Sequence, residues 1–345
     1  MRTLRARPHR REEGVVLILV LVVVMVLAVV LIEFNYETSL DVSASAGATW
    51  SRQALACADA GVGVALAALK RADDAFNDEK IAPCITGKKS LPVGDGLCKV
   101  VITSECGKLN INALKPRDGQ PDRRRCEQVL RLIDLLNAQT GVEEPISYAV
   151  VPSMIDWVDE DDDTTLLTFV EGENEGAEKS WYGSRKPPLR CKNAPFDSLD
   201  ELRLLRGMTP VALDGRPADP ETKRPALLGM RPFLTLWGDG KIDVNHAPPL
   251  VLQSLAEKFD ADLARDIVAA REMKAFESVN ELLGVPGMTR EIFSAVRNYV
   301  TVSPNERYYR VESTGTVQDV ERRVIAVILV QTSESEPTLI QRAEF

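Results

Sequence analysis

The feature that most constrains this chain is an uninterrupted apolar run from Val15 to Ile32, VVLILVLVVVMVLAVVLI. At about 1.5 Å of rise per residue, a helix of about 18 residues just crosses the hydrocarbon core of a bilayer. The leader that precedes the run is basic, with arginines at Arg2, Arg5, Arg7, Arg10 and Arg11. Because positively charged flanks stay cytoplasmic, the sequence places everything after Ile32 on the opposite side of the membrane.

Three kinds of segment have this composition. A cleaved secretory signal has a shorter apolar core that ends in small residues, whereas Glu33 and Phe34 follow this one. A plain membrane anchor fits the length but does not explain Gly14, a lone glycine between the charged leader and the apolar run. The junction of the charged leader, Gly14 and the apolar run resembles a type IV prepilin-like signal, in which the leader is cut off after the glycine and the apolar helix is kept. We therefore predict cleavage after Gly14, with Val15 as the new amino terminus.

The composition excludes several classes of function. The chain has 345 residues and a formal net charge of −9, which argues against nucleic acid as the main partner because phosphate binding needs a basic face. Of its two histidines, His9 lies in the leader, so that only His246 would remain after cleavage. This excludes most Ser-His-Asp and multi-histidine metal sites. The sequence predicts a protein that is not an enzyme.

Export across a membrane leads us to expect disulfide bonds among the cysteines, since the compartment beyond is oxidising. The cysteines contain no C-x-x-C motif, so a zinc site is not expected. Their spacing does not select one of the possible disulfide pairings. Cys84 and Cys98 bracket a Gly/Pro-rich stretch and are the favoured local bridge. The alternative is that some cysteines are buried small apolar residues. The six are Cys57, Cys84, Cys98, Cys106, Cys126 and Cys191.

Hydrophobic periodicity predicts an α+β fold. The apolar run and its continuation from Asn35 to about Lys70 form one long helix. Leu97 to Glu105 and Lys108 to Leu114 read as strands, and Tyr308 to Gln331 reads as a strand pair with a turn at Gln318. One antiparallel sheet, split by a mainly helical insertion, accounts for these pieces. The polar tail is expected to fray.

The chain divides into a leader, a packing helix, the continuation of that helix with the first strands, an insertion in two halves, the closing strands and a tail. The predicted bounds, in that order, are residues 1–14, 15–32, 33–118, 119–303 with halves of about 119–230 and 240–303, 304–333, and 334–345.

Two related segments, DSLDELRLLRGMT and NELLGVPGMT, read as a helix, a glycine turn and a second helix. In helix-hairpin-helix modules the backbone N–H groups of such a turn hold a DNA phosphate. Here Gly287-Met288-Thr289 replaces the usual Gly-x-Gly, and neighbouring lysines and arginines are matched by glutamates. We interpret the segments as a helical fold for packing and protein contact. A membrane-anchored periplasmic DNA-binding or DNA-uptake receptor is the alternative.

A concentration of carboxylates begins at Asp156 and continues to Asp163. Such clustering is repulsive unless water, salt or a cation screens it, and hard oxygen ligands suit Ca²⁺. The stretch is not an EF-hand, because Thr164 stands where that loop requires glycine. A solvated acidic loop is the alternative to a metal site. Further acids follow at Glu171, Glu173, Glu175 and Glu178.

Several segments, taken in order, resemble the K-type minor pseudopilin family of type II secretion systems. They are GKLNINAL (107–114), IDWVDED (155–161), GAE to YG (176–183), SLDELRLLRGMT (198–209) and GDGKIDVNHAP (238–248). Leu19 strengthens the resemblance, because this subtype lacks the glutamate that most pseudopilins carry at the fifth mature position.

The resemblance implies a long pilin-like helix on a small antiparallel sheet, carrying a large inserted α-helical domain that is SAM-like or helix-hairpin-helix-like. It implies a place at the pseudopilus tip, where the chain would initiate assembly and support protein export across the outer membrane. The implied partners are the I- and J-type minor pseudopilins, the major pseudopilin and prepilin peptidase. The chain would be a single-pass inner-membrane protein with a periplasmic globular part.

The resemblance also implies a bound Ca²⁺ ion. The match to the family's D-W-x-D-x-D and G-A-E segments gives its ligands as Asp156, Asp159, Asp161 and Glu178.

Overall fold

The computed structural model describes residues 12–71, 76, 78–115, 120–331 and 336–345. Residues 1–11, which form most of the predicted leader, lie outside the described residues. The predicted cleavage point between Gly14 and Val15 falls near the start of the first helix, where only the backbone is described.

The first helix, α1, runs over Glu12–Leu69 and has 58 residues. The prediction that the apolar run and its continuation form one helix is therefore confirmed. Apolar side chains from Val16 to Ile32 are exposed, whereas Ala54, Ala58 and Ala65 are completely buried. By length and composition this helix could cross a membrane. Its first half thus projects from the folded body, and its second half packs against that body.

The main sheet is antiparallel and has the strand order β1-β2-β7-β8-β9. Strands β2 and β7 are distant in sequence but pair directly, with Cys98 opposite Gly315. A turn at Gln318, which has a φ of 52°, joins β7 to β8. The predicted sheet with its intervening insertion is confirmed. The strand bounds are β1 Leu91–Val93, β2 Gly96–Ser104, β3 Leu109–Asn110, β4 Leu234–Thr235, β5 Ile242–Asp243, β6 Val300–Thr301, β7 Glu306–Val317, β8 Val320–Gln331 and β9 Thr338–Glu344.

The prediction of a strand over Lys108 to Leu114 is wrong. Only β3 is extended there, and it pairs with β4 in a separate parallel ladder. Asn110 ends the strand, because its side chain accepts a hydrogen bond of 2.9 Å from the backbone N–H of Asn112 and caps a 3₁₀ helix over Ile111–Ala113. The apolar alternation in the sequence reflects the burial of this turn.

The prediction of a frayed tail is also wrong, because β9 pairs with β8 at the edge of the sheet. Backbone pairing does not require apolar side chains, and polar edge strands are common in natural sheets. The Arg342 guanidinium anchors β9 to α1 through a 2.7 Å ion pair with Asp59. The Gln341 side chain donates to the backbone oxygen of Asp197 in the insertion, at 3.1 Å.

Helix α1 lies very close to the sheet. A Cβ atom on Gly61 would fall 2.1 Å from Ser313 Oγ, so only glycine fits at this crossing. Ser313 Oγ donates a 2.7 Å hydrogen bond to the backbone oxygen of Ala58. The core between helix and sheet is built from small and β-branched side chains, including Val100 and Val311.

The direction of β2 fixes where the insertion leaves the sheet. Gly96, at the start of β2, lies against Cys57 of α1. At the other end of β2, Ser104 pairs with Tyr309, whose ring stacks at 6.2 Å on Phe76, beyond the end of α1. The chain between β2 and β7 therefore emerges at the end of the sheet farther from the exposed apolar half of α1.

The chain between β2 and β7 folds around a core of its own, in which Leu132, Met154 and Leu252 are completely buried. Two short parallel ladders, β3-β4 and β5-β6, accompany its helices. A separate short helix, Ala82–Ile85, precedes β1. The α-helices of the insertion are Arg123–Asn137, Val150–Val158, Lys179–Gly183, Pro210–Asp214, Pro249–Ser254, Ala261–Met273 and Arg290–Val296, and its further 3₁₀ helices are Leu199–Leu204, Arg231–Phe233 and Val279–Gly284.

The two Gly-Met-Thr segments adopt the same backbone geometry. Gly207 and Gly287 have positive φ angles of 81° and 83°. The threonines that follow, Thr209 and Thr289, cap the next helix through their hydroxyls. A serine-capped helix precedes each turn, as the sequence predicted, and it is of the 3₁₀ type. The degenerate sequence repeat is thus a structural repeat.

The expectation of disulfide bonds is wrong, because all six cysteines are free thiols. Cys98 points from β2 into the core between helix and sheet, with Sγ 3.5 Å from Ser313 Oγ. Cys84 lies in the short helix before β1, where its Sγ donates to the backbone oxygen of Lys80 at 3.4 Å. Cys98 and Cys126 are fully buried, as expected under the alternative of small apolar residues.

Candidate metal centre

The acidic stretch meets the returning chain at one point inside the insertion. Asp156 lies in the last turn of the buried helix Val150–Val158, and Asp159 caps the end of that helix with extended backbone. Glu178 precedes the helix Lys179–Gly183 as its N-cap. These three residues are buried, with residue exposures of 0%, 7% and 2% for Asp156, Asp159 and Glu178.

Backbone hydrogen bonds bring the returning chain to this point. The N–H of Thr165 donates to Asp156 Oδ1 at 2.9 Å, and the N–H of Gly176 donates to the backbone oxygen of Thr165 at 3.0 Å. Leu166 and Glu175 form an antiparallel bridge between these points. The long acidic loop is therefore closed at its base, beside Asp156.

Each of the three acids uses one carboxylate oxygen in a bond with the protein. Asp156 Oδ1 accepts from Thr165, Asp159 Oδ2 accepts from Lys115 Nζ at 2.7 Å, and Glu178 Oε2 accepts from the N–H of Lys179 at 3.3 Å. The second oxygens, Asp156 Oδ2, Asp159 Oδ1 and Glu178 Oε1, are buried and accept no hydrogen bond within the described part of the chain. One oxygen from each acid lies within 4.8 Å of the others.

This environment disfavours ionised carboxylates that lack a cation. Burial raises the pKa of Asp156 to about 6, and hydrogen bonds from Thr165 only partly offset this. Burial, followed by the charges of the neighbouring aspartates, raises the pKa of Glu178 to about 7. Burial also raises the pKa of Asp159, although Lys115 opposes the rise. Three converging carboxylates with unpaired oxygens form a donor set that fits a hard divalent cation such as Ca²⁺.

Asp161, the fourth ligand implied by the resemblance, is not brought into this group. Its carboxylate is 54% exposed, with Oδ2 at 3.5 Å from Lys115 Nζ. Its Oδ1 accepts a 2.9 Å hydrogen bond from the N–H of Asp163, so that the side chain closes a local turn. Asp161 and Asp159 thus share one lysine, but Asp161 lies on the solvent side of it.

Gly176 makes room for the cluster, a role that sequence reasoning missed. A Cβ atom at this position would lie 2.1 Å from Asp156 Oδ2 and 2.9 Å from the backbone carbon of Pro152. Arg206, from the first Gly-Met-Thr segment, holds this part of the chain by donating to the Gly176 backbone oxygen at 3.0 Å. The sequence signal for this role was the GAE segment, in which Gly176 lies two residues before the buried Glu178.

Aromatic rings close the buried side of the centre. The Tyr182 ring packs edge-on against Trp157 at 5.2 Å and against Trp181 at 4.9 Å. Tyr182 is fully buried, and its hydroxyl has no hydrogen-bond partner in the described chain. The thiol of Cys191 donates to the backbone oxygen of Asp156 at 3.3 Å. Sequence reasoning assigned no role to Tyr182, Trp181 and Cys191, which lie well beyond the acidic stretch along the chain.

The comparisons with known proteins agree on one family. Two family models, each described as type II secretion system (T2SS), protein K, match residues 107–215 and 242–303. The type II secretion system protein K of Klebsiella pneumoniae is 28% identical over 222 residues, or 63% of this chain. The alignment spans 61% of that relative, which is less than two thirds of its length.

A solved structure shares the fold. It is the crystal structure of the GspK-GspI-GspJ complex from the enterotoxigenic Escherichia coli type 2 secretion system, and one chain of it aligns with a TM-score of 0.60 at 20% identity. The alignment covers 85% of this chain and 96% of that chain. The α+β architecture of a long amino-terminal helix, an antiparallel sheet and additional helices is therefore common to both.

Proposed function

We propose that this chain, which belongs to the type II secretion system protein K family, is the minor pseudopilin at the tip of a pseudopilus. There it initiates assembly with other minor pseudopilins and supports protein export across the outer membrane. The acidic centre in its insertion holds a divalent cation, for which Ca²⁺ is the best match.

The observation that carries the tip position is the place where the insertion leaves the sheet. Helix α1 and the sheet form the part that resembles a filament subunit, and the apolar half of α1 projects from one end of it. The insertion, from Glu105 to Asn305, emerges at the opposite end, where Ser104 pairs with Tyr309. A further copy stacked beyond that end would have to occupy the space that the insertion fills, so the chain terminates the filament.

The exposed apolar side chains of α1 need an apolar environment, which a bilayer or neighbouring helices of the same kind would supply. Before assembly the chain is a single-pass protein of the inner membrane, with its globular part in the periplasm. Prepilin peptidase removes the leader after Gly14. The major pseudopilin then extends the filament beneath the tip.

The I- and J-type minor pseudopilins are the proposed partners at the tip. The support comes from the solved relative, whose crystal structure is that of a complex of GspK with GspI and GspJ. The alternative, a DNA receptor, would need a basic surface near the repeated turns, whereas acids accompany the cations there. The Lys258 ammonium is instead 2.9 Å from Glu291, and that of Lys274 is 3.0 Å from Glu277.

Asp156, Asp159 and Glu178 would hold the cation, each through the oxygen that accepts no hydrogen bond. The ion would supply positive charge at the centre of a buried acidic cluster. The three carboxylates would then remain ionised and tie the end of Val150–Val158 to the start of Lys179–Gly183. The long acidic loop between these helices would be fixed on the insertion, and the surface offered to partners would keep one shape.

Labelling the insertion in assembled pseudopili tests the tip position. A short epitope placed between Thr222 and Lys223, in an exposed turn of the insertion, leaves the core untouched. Gold-labelled antibody should mark one end of each pseudopilus when the major pseudopilin is overproduced. Label distributed along the shaft would contradict the proposal, and an epitope-tagged major pseudopilin provides the matched control for shaft labelling.

A further inference from the structure

Lys115 occupies a special position beside the acidic centre. Its ammonium is 2.7 Å from Asp159 Oδ2, and its side chain is 21% exposed against 4% for the aspartate. Within the described chain it is the one basic side chain in an ion pair with Asp156, Asp159 or Glu178. The bond to Oδ2 leaves Asp159 Oδ1 directed to the buried interior without a hydrogen bond.

The charges at the centre can be counted from these contacts. Three buried carboxylates, when ionised, carry three negative charges, and Lys115 contributes one positive charge. Asp161 also lies 3.5 Å from Lys115, but its carboxylate is largely exposed, so water screens its charge and it is left out of the buried count. Two negative charges are left to be balanced, which matches one divalent ion. Because an unbalanced charge is costly in a buried site, the match favours a divalent ion over a monovalent or trivalent one.

We propose that Lys115 sets the charge selectivity of the metal centre, by neutralising one of its three carboxylates and leaving a site tuned to a divalent cation. This inference rests on the proposed metal centre and goes beyond it, because the ligands alone would also accept a trivalent ion. Lys115 is a positioning residue in this scheme, since it holds Asp159 and does not touch the ion.

Terbium luminescence provides the test, because Tyr182, Trp157 and Trp181 lie at the centre and can sensitise bound Tb³⁺. The purified full-length chain in detergent is titrated with Tb³⁺, and the signal is then displaced by Ca²⁺. The ratio of the Ca²⁺ and Tb³⁺ dissociation constants measures charge selectivity. Without Lys115, this ratio should shift toward Tb³⁺ by on the order of tenfold, since the repulsion of a nearby cation grows with ion charge.

The variants separate charge from structure. Lys115→Met removes the charge, and Lys115→Gln also removes it but keeps a hydrogen-bond donor should the methionine variant fold poorly. Lys115→Arg should retain the wild-type ratio. Lys179→Met is the matched control, because Lys179 is adjacent to Glu178 in sequence but its ammonium is exposed and 3.9 Å from Asp162.

The possible failures are distinguishable. Wild-type chain that gives no Tb³⁺ signal displaceable by Ca²⁺ would refute the metal centre itself. Wild type that binds both ions, with the same ratio in folded Lys115→Met and Lys115→Gln, would overturn the role of Lys115 alone. An equal shift in Lys179→Met would also overturn it, since any lysine near the site would then suffice.

Discussion

Chelation of the ion should destabilise the chain more at pH 8 than at pH 5. In the ion-free fold, burial raises the pKa of Asp156 from an ordinary 3.8 to about 6 and that of Glu178 from 4.5 to about 7. An acid whose folded pKa lies above its unfolded value favours folding at low pH, where it is protonated. That contribution is complete below the unfolded pKa and is lost as the pH rises through the folded one.

The raised pKa values set the size of the effect. A pKa of about 6 in place of 3.8 makes the ionised form of Asp156 cost the folded chain about 3 kcal/mol. Part of this cost already lowers the free energy of unfolding at pH 5, because the aspartate of the unfolded chain is ionised at that pH. Between pH 5 and pH 8, Asp156 and Glu178 together should lower the free energy of unfolding by roughly 3 to 4 kcal/mol. A bound divalent cation balances the charges, so this loss should disappear in saturating Ca²⁺.

Thermal and urea unfolding of the full-length chain in detergent, in Ca²⁺ or in EGTA at pH 5, 6, 7 and 8, measures the effect. The stabilisation by Ca²⁺ should grow with pH and should be much smaller with Mg²⁺, which dehydrates reluctantly. Asp156→Asn should reduce the pH dependence, whereas Glu171→Gln, which changes an exposed acid of the same loop, should not. Equal stabilisation by Ca²⁺ at pH 5 and pH 8 would refute the reasoning.

Three further changes test other parts of the structure. Gly176→Ala places a Cβ 2.1 Å from Asp156 Oδ2 and should abolish stabilisation by Ca²⁺ in unfolding experiments, whereas Gly172→Ala, at an open position of the same loop with positive φ, should keep it at a small cost in stability. Gly14→Leu should leave uncleaved chain in the inner membrane, and an intact Met1 in the mature wild-type protein by mass spectrometry would contradict leader removal. Leu19→Glu should bring no gain in pseudopilus number or secretion, because a carboxylate without a neighbour to neutralise it is costly in apolar packing. Improved assembly in that variant would contradict the tip position.

The sequence predicted best the elements that have strong internal periodicity. Helix α1 and strands β7 and β8 follow from an apolar run and from period-two alternation, which depend little on the rest of the chain. Strand β9 was missed because its side chains are mostly exposed and its place at the sheet edge depends on pairing with β8. The predicted disulfides failed because the compartment of a protein indicates the redox state expected of its cysteines, but not whether their side chains meet.

The proposed metal centre likewise combines features that the sequence predicted with features that only the folded chain shows. The acidic stretch itself suggested Ca²⁺, and the resemblance to a family supplied Asp156, Asp159 and Glu178, which the structure brings together. Nothing local distinguished Asp161 from these three, since the difference is one of burial. Lys115 was out of reach of pattern reasoning, because it lies 44 residues before Asp159 and meets it only in the folded insertion.

The position of Lys115 also connects the ion to the rest of the molecule. It follows the 3₁₀ turn after β3, in the segment that leads from Ser104 at the end of the sheet into the insertion. Asp159 ends a helix at the centre of the insertion core. The ion pair between Lys115 and Asp159 therefore links the entry of the insertion to its acidic centre. Loss of the ion would leave Asp159 with Lys115 as its remaining countercharge, so the change would reach the entry segment through this ion pair.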